Sequence, residues 1–432
     1  MTDAVTDAVT DMATDIAAST LRRQPRWLRL LTGGDLWTGA LARMAGRIRR
    51  GELTLRLPDG RTMCIGDPAR GPQADLTLLD GAAARRLLLG GGIGMAEAYG
   101  DGLWRTGDLP ALIELAIRNE GELGGDSKRN ALKGTLAAAL ANRLFHRSHA
   151  NSRRGSRRNI AFHYDLGNDF YRLWLDPGMT YSSALYEREG QSLEDAQDAK
   201  IARVAELLQL RPGDRVLEIG CGWGGMAEHL AGRFGASVTG LTLSAEQLAF
   251  ARGRVDGAGL ADRVDLRLMD YRDAGKEFGG SFDRIVSIEM IEAVGEEHWP
   301  RYFATLRDRL APGGAAVVQA ITIDDARFPS YRRRCDFIQR HIFPGGLLPC
   351  PSALRAEAER AGLVVEHVET FGESYARTCA EWRRRFLEAG PQVAALGFDG
   401  RFRRLWDYYL AYCEAGFRAG TIDVGLWRFR KP

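Results

Sequence analysis

The chain has 432 residues, of which 45% are hydrophobic and 27% are charged, and its formal net charge is +3. This length allows two domains with separate cores, and the composition is that of an ordinary globular protein. No run reaches the ~18 apolar residues of a membrane-spanning helix. The first twenty residues hold a short acidic repeat without the basic start of a signal peptide. We therefore expect a cytoplasmic protein.

Cysteine and histidine are not arranged as in a metal site. The six cysteines, at positions 64, 221, 335, 350, 379 and 413, include no C-x-x-C pair, which indicates reduced thiols rather than zinc ligands or disulfides. The seven histidines form no H-E-x-x-H or similar cluster. His146 and His149 are three residues apart, but no carboxylate is near them in the sequence. We expect no metal.

Residues 1–150 are predicted to form a small α+β domain, with a frayed acidic tail before it and a basic linker at its end. The segment GELTLRLPDGRTMCIG (51–66) alternates around a D-G turn, which predicts a β-hairpin. Helical patterns follow near 81–98 and 109–119. The amphipathic segment ALKGTLAAALANRLFHRSH (131–149) fits either packing on the next domain or lying on a membrane.

A basic stretch follows, from Ser127 to Tyr164, with nine lysines and arginines and no acidic residue. Each such charge near acidic lipid contributes about 1 kcal/mol. The stretch therefore favours either a peripheral anionic membrane surface as partner or a solvated linker. No nucleic-acid motif accompanies it, so we expect no nucleic-acid partner.

From Arg211 onwards, strand patterns alternate with helix patterns. RVLEIG, ASVTGLT, VDLRLMD, FDRIVSIEM and GGAAVVQAITI are strand-like, and several are continuous apolar runs, as expected where helices cover both faces of a sheet. GGMAEHLAGRFG and SAEQLAFARGRVDGAG between them are helical. The pattern predicts a doubly wound, Rossmann-like α/β domain over residues 151–432.

The loop VLEIGCGWGG (216–225) follows a strand and opens a helix. Its spacing is G-x-G-x-G-G, whereas a nicotinamide site has G-x-G-x-x-G and an acidic residue at the end of the second strand, which here reads GLTLS. A phosphate loop is excluded because no Lys-Ser/Thr follows. Glu218, two residues before Gly220, completes an E-x-G-x-G that resembles motif I of class I S-adenosylmethionine methyltransferases. The acidic MDYRD after the third strand fits the adenine side of such a site.

Several further blocks carry a more specific resemblance: HYDLGNDFYRLWLDPGMTYSSALYE (His163–Glu187), FDRIVSIEMIEAVG, YRRRCDFIQRHIFPGGLLP, FGESYARTCAEWRRRF and YYLAYCEAGFRAGTI. From about Ile160 to the C-terminus the chain resembles the cyclopropane-fatty-acyl-phospholipid synthase family, and more weakly over 1–150. The resemblance implies a class I methyltransferase fold with lipid-binding insertions, S-adenosylmethionine as cofactor, an unsaturated phospholipid in the bilayer as substrate, and a homodimer through the N-terminal domain. The cofactor-binding residues that we expect are Tyr181, Ser182, Glu218, Gly220, Cys221, Gly222, Thr242, Leu243, Gln247, Tyr271 and Arg272.

The reaction that this resemblance implies is attack by a carbon–carbon double bond on the sulfonium methyl, which leaves a carbocation in the acyl chain. Such a reaction needs a dry apolar slot, aromatic faces that tolerate the cation, and a base for the final proton. The candidate faces are Tyr164, Phe170, Tyr181 and Tyr375. Each of them is equally well explained by packing in a core.

The family holds bicarbonate as that base, and the resemblance places its ligands in this chain. Glu292, Tyr375 and the backbone of Ile321 match the family, whereas Ser183 replaces a cysteine and Gln319 a histidine. A serine keeps its backbone donor, and a glutamine donates but carries no titratable proton.

Two further positions bear on the catalytic set. Glu289 replaces a glycine of the family, three residues before Glu292. We expect it to point to solvent; the alternative is a close carboxyl pair in which one pKa is raised. Cys413 matches a family cysteine, and we expect a buried thiol rather than a nucleophile.

The position of the base decides the product. Proton loss from the transferred methyl closes a cyclopropane, whereas loss from a neighbouring chain carbon gives a methyl-branched alkene, and a preceding hydride shift gives a methylene group. The departures at the base site leave the ring and the branched chain open. Two other functions also stay open: a methyltransferase for a small natural product, and a non-catalytic homologue that binds lipid or cofactor.

Overall fold

The computed structural model describes residues 36–124, 155 and 166–432. Two compact units are present, Met1–Lys133 with Phe398–Ala415, and Gly134–Gly397 with Gly416–Pro432. The predicted division, 1–150 and 151–432, differs from this one because residues 398–415 belong to the first unit. Within that unit the Tyr99 hydroxyl donates to Asp407 at 2.7 Å, and Leu405 packs against Gly100. The predicted acidic tail and most of the predicted basic linker lie outside the described residues.

The first unit contains a four-stranded sheet in the order β2-β1-β3-β4, formed by β1 (Gly51–Arg56), β2 (Thr62–Asp67), β3 (Gln73–Leu78) and β4 (Trp104–Arg105). β1 and β2 pair antiparallel, which confirms the predicted hairpin, and Gly60 in its turn has a φ of 87°. The helices of this unit before residue 125 are α1 (Leu36–Ala45), α2 (Gly81–Gly100), α3 (Leu109–Arg118) and α4 (Glu120–Leu123).

The second unit contains a seven-stranded sheet in the order β10-β11-β9-β8-β5-β6-β7. Its strands are β5 (Arg215–Ile219), β6 (Ser237–Thr242), β7 (Val264–Leu268), β8 (Phe282–Ile288), β9 (Leu310–Ile323), β10 (Val364–Thr370) and β11 (Ile422–Arg430). Strands β5 to β9 are parallel, and β11 pairs antiparallel with both β9 and β10. This is the predicted doubly wound α/β fold of class I methyltransferases, with an antiparallel edge.

Helices cover both faces of this sheet, and each face has its own apolar core. They are α5 (Asn168–Arg172), α6 (Leu193–Leu208), α7 (Gly225–Phe234), α8 (Ala245–Gly257), α9 (Ala274–Glu277), α10 (Trp299–Arg309), α11 (Phe328–Tyr331), α12 (Phe337–His341), α13 (Pro351–Arg360), α14 (Gly372–Glu388) and α15 (Gly390–Ala395). Helix α16 (Gly400–Arg418) continues from the first unit into the second. Among the described residues, no helix combines the length and apolarity needed to cross a membrane.

The chain reverses direction across the sheet between β5 and β8. From β5 it proceeds through β6 to β7 on one side, and it then returns to β8 and β9 on the other. In open α/β sheets, ligands bind outside the carboxyl ends of the strands at such a switch point. Gly220 follows β5, Leu243 follows β6 and Glu289 follows β8. The fold therefore brings the predicted cofactor loop and Glu289 to one edge of the sheet.

Candidate active site

The glycine loop turns sharply after β5. Gly220 and Gly222 have φ values of 88° and 50°, and the amides of Gly220 and Cys221 both donate to the Leu241 carbonyl, at 2.9 and 2.8 Å. A Cβ at position 222 would meet nothing within 4 Å, so the backbone there faces open space. Glycine adopts positive φ without steric cost, and it lets a ligand approach the main chain closely. This cradle fits the methionine and ribose end of a sulfonium nucleoside.

The second strand contributes a short polar network at its end. The Thr242 hydroxyl donates to the Gln247 side chain at 3.0 Å and accepts from the Ser244 amide at 3.1 Å. Ser244 also caps α8 through the Gln247 amide. Leu243 is partly buried between them. The predicted residues on β6 and at the start of α8 are thus held together beside the glycine loop.

Two other predicted cofactor residues follow β7. Tyr271 is buried, its hydroxyl has no hydrogen-bond partner among the described residues, and burial raises its pKa to about 12. The Arg272 guanidinium is paired with Asp270 through bonds of 2.6 to 3.0 Å. The unsatisfied Tyr271 hydroxyl is the kind of group that a bound polar ligand satisfies.

Cys221 does not present its side chain to this site. Its thiol is buried in the core beneath the sheet, where a Cβ on Gly240 would lie 3.3 Å from its sulfur. Its amide donates to Leu241, and its carbonyl accepts from the Gly224 amide at 2.9 Å. The Cys221 side chain therefore packs in the core and shapes the loop, and cofactor binding by this residue stays a prediction.

An aromatic wall lies beside the loop, where the Tyr171 ring is 5.1 Å from the ring of Trp223. The Tyr181 ring lies 5.4 to 5.5 Å from the rings of Tyr171, Trp174 and Trp382. Tyr375 continues the wall, 6.1 Å from Trp382. Aromatic rings of this kind have apolar, electron-rich faces.

The other two candidate faces have different outcomes. Phe170 is fully buried against Trp174 and Phe386, so core packing explains it. Tyr164 lies outside the described residues.

Glu289 turns inward, which corrects the expectation that it points to solvent. Its Oε1 accepts from the Ser183 amide at 2.8 Å and from Gln319 Nε2 at 2.7 Å, and its Oε2 accepts from the Tyr375 hydroxyl at 2.6 Å. The residue has a φ of 48°, a left-handed conformation that is costly for a side chain other than glycine. Three bonds to one carboxylate therefore hold a strained backbone position in place.

Glu292 forms a second, separate carboxyl site. Its Oε1 accepts from the Ile321 amide at 2.6 Å, and its Oε2 is buried without a partner among the described residues. Desolvation, and secondly the nearby charge of Glu289, raise the pKa of Glu292 to about 8. The pKa of Glu289 is also raised by desolvation, against which the hydrogen bond from Tyr375 acts.

The donors that the resemblance assigns to bicarbonate are thus occupied by the protein itself. The Ser183 amide, Gln319 and Tyr375 all bind Glu289, and the Ile321 amide binds Glu292. The Ser183 hydroxyl donates instead to the Ala184 carbonyl at 2.9 Å. With Glu289 in place these donors are engaged, so they do not fit bicarbonate in addition. The chain itself provides the carboxylate at this position.

Cys413, the last of the predicted catalytic residues, lies on α16. It lies in Phe398–Ala415, the part of α16 that belongs to the first unit, whereas the two carboxylates belong to the second. Residue Cys413 is partly buried, whereas we expected a buried thiol.

Sequence reasoning missed Lys200, on α6. It is one of the largest fully buried side chains among the described residues, and its Nζ donates to the Ser182 hydroxyl at 2.7 Å. On the same helix, Gln197 Nε2 donates to the Ser182 carbonyl at 2.9 Å. A lysine at a core-facing position of a helix, three residues after a buried glutamine, was the available signal.

Comparison with known proteins gives consistent results. The family model described as mycolic acid cyclopropane synthetase matches residues 151–427. A tuberculostearic acid methyltransferase of Mycobacterium tuberculosis is 39% identical over 90% of this chain and 91% of its own length. The cyclopropane-fatty-acyl-phospholipid synthase of Escherichia coli K12 is 36% identical over 82% of this chain and 87% of its own.

A solved structure supports the same assignment. A mycolic acid cyclopropane synthase complexed with SAH and CTAB superposes with a TM-score of 0.58 at 31% identity, covering 64% of this chain and 98% of that one. The fold, the glycine loop and these relatives agree on a methyltransferase that uses S-adenosylmethionine and either methylates or cyclopropanates lipid acyl chains. The chain therefore belongs to the mycolic acid cyclopropane synthetase family.

Proposed function

We propose that this enzyme methylates the cis double bond of an unsaturated phospholipid acyl chain and releases a methyl-branched chain, with Glu289 as the resident base. The observation that carries the proposal is the Glu289 carboxylate, held by three donors where the family resemblance places an exogenous base. S-adenosylmethionine, when bound, supplies an electrophilic methyl group. The residues of the chain must then hold the lipid in an apolar space and remove one proton.

The aromatic wall supports the first of these tasks. Methylation of a double bond leaves a carbocation on the acyl chain, and this cation would react with any water that entered the site. Tyr181 and Tyr375, packed on Trp382, offer ring faces that stabilise a cation without acting as nucleophiles toward it. We propose that these rings line the acyl slot.

Glu289 suits the second task. Its Oε1 accepts two hydrogen bonds, whereas Oε2 accepts one, from Tyr375, and keeps a free lone pair. We propose that Oε2 takes the proton from the acyl chain. A fixed carboxylate is already oriented, so its action requires no capture of a dissolved anion.

Glu292 is proposed to remain protonated and to stabilise the site rather than to serve as the base. Its pKa of about 8 favours the neutral form near neutral pH, and its bond to the Ile321 amide fixes its orientation. A neutral carboxyl three residues from Glu289 avoids a second negative charge beside the first.

Ring closure is the second candidate product. The Escherichia coli relative carries the name of a cyclopropane synthase, and the donor positions around the base are present here. The branched product is favoured because the relative that matches 90% of the chain is named for methyl transfer to a fatty acid. We further propose that the enzyme meets its substrate at the bilayer surface through the basic stretch 127–164, most of which lies outside the described residues.

Lipid analysis tests the proposal. The chain is expressed in a bacterium that lacks its own cyclopropane synthase and grows on methyl-labelled methionine, and extracted lipids are examined by mass spectrometry before and after catalytic hydrogenation. We expect a gain of one labelled carbon in a chain that still takes up hydrogen, and loss of the gain in Glu289→Gln. A gain that resists hydrogenation would establish a ring and contradict the branched product. No gain would contradict the proposed substrate.

A further inference from the structure

Lys200 is a buried basic residue to which the proposed reaction assigns no role. The side chain is buried, and its Nζ reaches the Ser182 hydroxyl at 2.7 Å. Burying a lysine is costly unless its charge is compensated. A methionine of similar length would fill the same space without that cost, so the ammonium group needs an explanation in the site that surrounds it.

Three carboxyl groups raise the pKa of Lys200 against its burial, and each comes from a different element. Glu289 follows β8, Glu218 is on β5, and Asp176 lies in the loop after α5. Burial lowers the pKa of Lys200 to about 8, and these three groups oppose that shift, so the ammonium form prevails at neutral pH. The Asp176 side chain also stabilises the local turn, because it accepts a hydrogen bond from the Thr180 amide at 2.9 Å.

The position of Lys200 links its charge to the base. Ser182, which Lys200 contacts, immediately precedes Ser183, whose amide donates to Glu289. Gln197 holds the Ser182 carbonyl from the same helix, so α6 fixes this residue at two atoms.

We infer that Lys200 is a positioning residue for the reaction: its buried ammonium keeps Glu289 ionised as the base and holds the Ser182–Ser183 backbone on which that carboxylate rests. The inference rests on the proposed function, because it concerns the proton step at Glu289.

The charged and titratable groups around Glu289 set its pKa, which a pH profile of the reaction would report. Tyr375 faces it from α14, Lys200 from α6 and Glu292 from the turn that follows β8. Both the Lys200 charge and the Tyr375 hydrogen bond lower the Glu289 pKa, against the desolvation that raises it. Removing the lysine charge therefore raises that pKa, and the acid limb of the rate profile moves upward with it.

The first experiment compares the pH dependence of kcat for lipid methylation in three variants. Lys200→Met removes the charge and keeps the length, Lys200→Arg keeps the charge, and Gln197→Met removes the neighbouring contact to Ser182 while keeping the lysine. We expect the acid limb of Lys200→Met to move up by about 1 pH unit or more, the shift typical of losing a nearby opposite charge. We expect Lys200→Arg and Gln197→Met to keep the wild-type midpoint. An unmoved limb in Lys200→Met, or an equal shift in Gln197→Met, would overturn the inference.

A second measurement needs no lipid. The carbonyl stretch of protonated Glu289, identified as the infrared band lost in Glu289→Gln, is followed against pH in the full chain. Lys200→Met is expected to show this band at higher pH than the wild type does. Lys200→Gln, which keeps a hydrogen bond to Ser182, replaces Lys200→Met if the latter does not fold. Identical titrations would overturn the inference even where lipid is methylated, whereas a shifted band without any lipid product would count against the proposed function alone.

Discussion

Replacing Glu289 by glycine should convert an enzyme with its own base into one that depends on an added base. Position 289 has a φ of 48°, which glycine adopts without strain, so the backbone should keep its path. The substitution removes the carboxylate and leaves the Ser183 amide, Gln319 and Tyr375 without their shared acceptor. The three groups that donated to the carboxylate then surround an emptied volume, which forms a site for a small planar anion.

The size of the effect follows from the step that is lost. A positioned general base contributes about 100- to 10,000-fold to a rate, which is about 3 to 5 kcal/mol of activation free energy. In bicarbonate-free buffer, kcat of Glu289→Gly should fall within this range. Added bicarbonate should bind to the three groups that held the carboxylate. It should restore at least about tenfold of the lost rate, because it recovers part of the contribution of the base.

Glu289→Gln is the matched control. Its amide occupies the same volume but does not accept a proton as a carboxylate does, so bicarbonate should not restore its activity. The assay measures labelled methyl transfer into phospholipid vesicles at fixed pH, with carbon dioxide excluded and then with bicarbonate added. Cofactor affinity and the urea midpoint of each variant show whether the fold is retained. Wild-type-like activity of Glu289→Gly without bicarbonate, or equal rescue of both variants, would refute the reasoning.

Three further predictions concern neighbouring groups. Tyr375→Phe removes the donor to Glu289 Oε2, so the pKa of Glu289 should rise. As a result, kcat at pH 7 should fall about tenfold or more and recover partly at higher pH. An unchanged pH profile of kcat would contradict this prediction. Burial raises the pKa of Glu292 to about 8, so this carboxyl binds a proton more tightly in the folded protein than in the unfolded chain. The free energy of unfolding should therefore fall as pH rises from about 5 to 8. Urea titrations of Glu292→Gln should show less of this fall, and equal slopes would argue against the buried carboxyl. Gly222→Val places a branched side chain at a φ of 50° on the open side of the loop. Calorimetry should show at least about tenfold weaker cofactor binding by this variant. The surface variant Glu246→Gln is the control and should keep the wild-type affinity.

The fold of the second unit followed from the sequence because its signals are local. Alternating apolar strands and amphipathic helices predicted the doubly wound sheet, and the glycine spacing with Glu218 predicted which nucleotide it serves. Both depend on residues close together in the chain. The assignment of residues 398–415 did not follow, since their place in the first unit depends on contacts with residues about three hundred positions earlier.

The side-chain directions in the site show the same division. Cys221 was placed at the cofactor by its position in the loop, but the turn at Gly220 after β5 directs its thiol into the core. Glu289 was expected to face solvent because a charged residue usually does. Its actual direction is set by a backbone amide, an amide side chain and a phenol that are 106, 30 and 86 residues away in the chain.

The sequence by itself determined the family, the cofactor, and the strand ends at which the site lies, because these depend on short motifs and on periodicity along the chain. Only the tertiary structure decided which carboxyl accepts from Ser183, Gln319 and Tyr375, and which buried cation acts on it. Glu289, Lys200 and Tyr375 come from three separate elements, and their mutual distances are consequences of how those elements pack. The ionisation of a buried group depends on such distances and on its exposure to water, and neither quantity is encoded in local sequence.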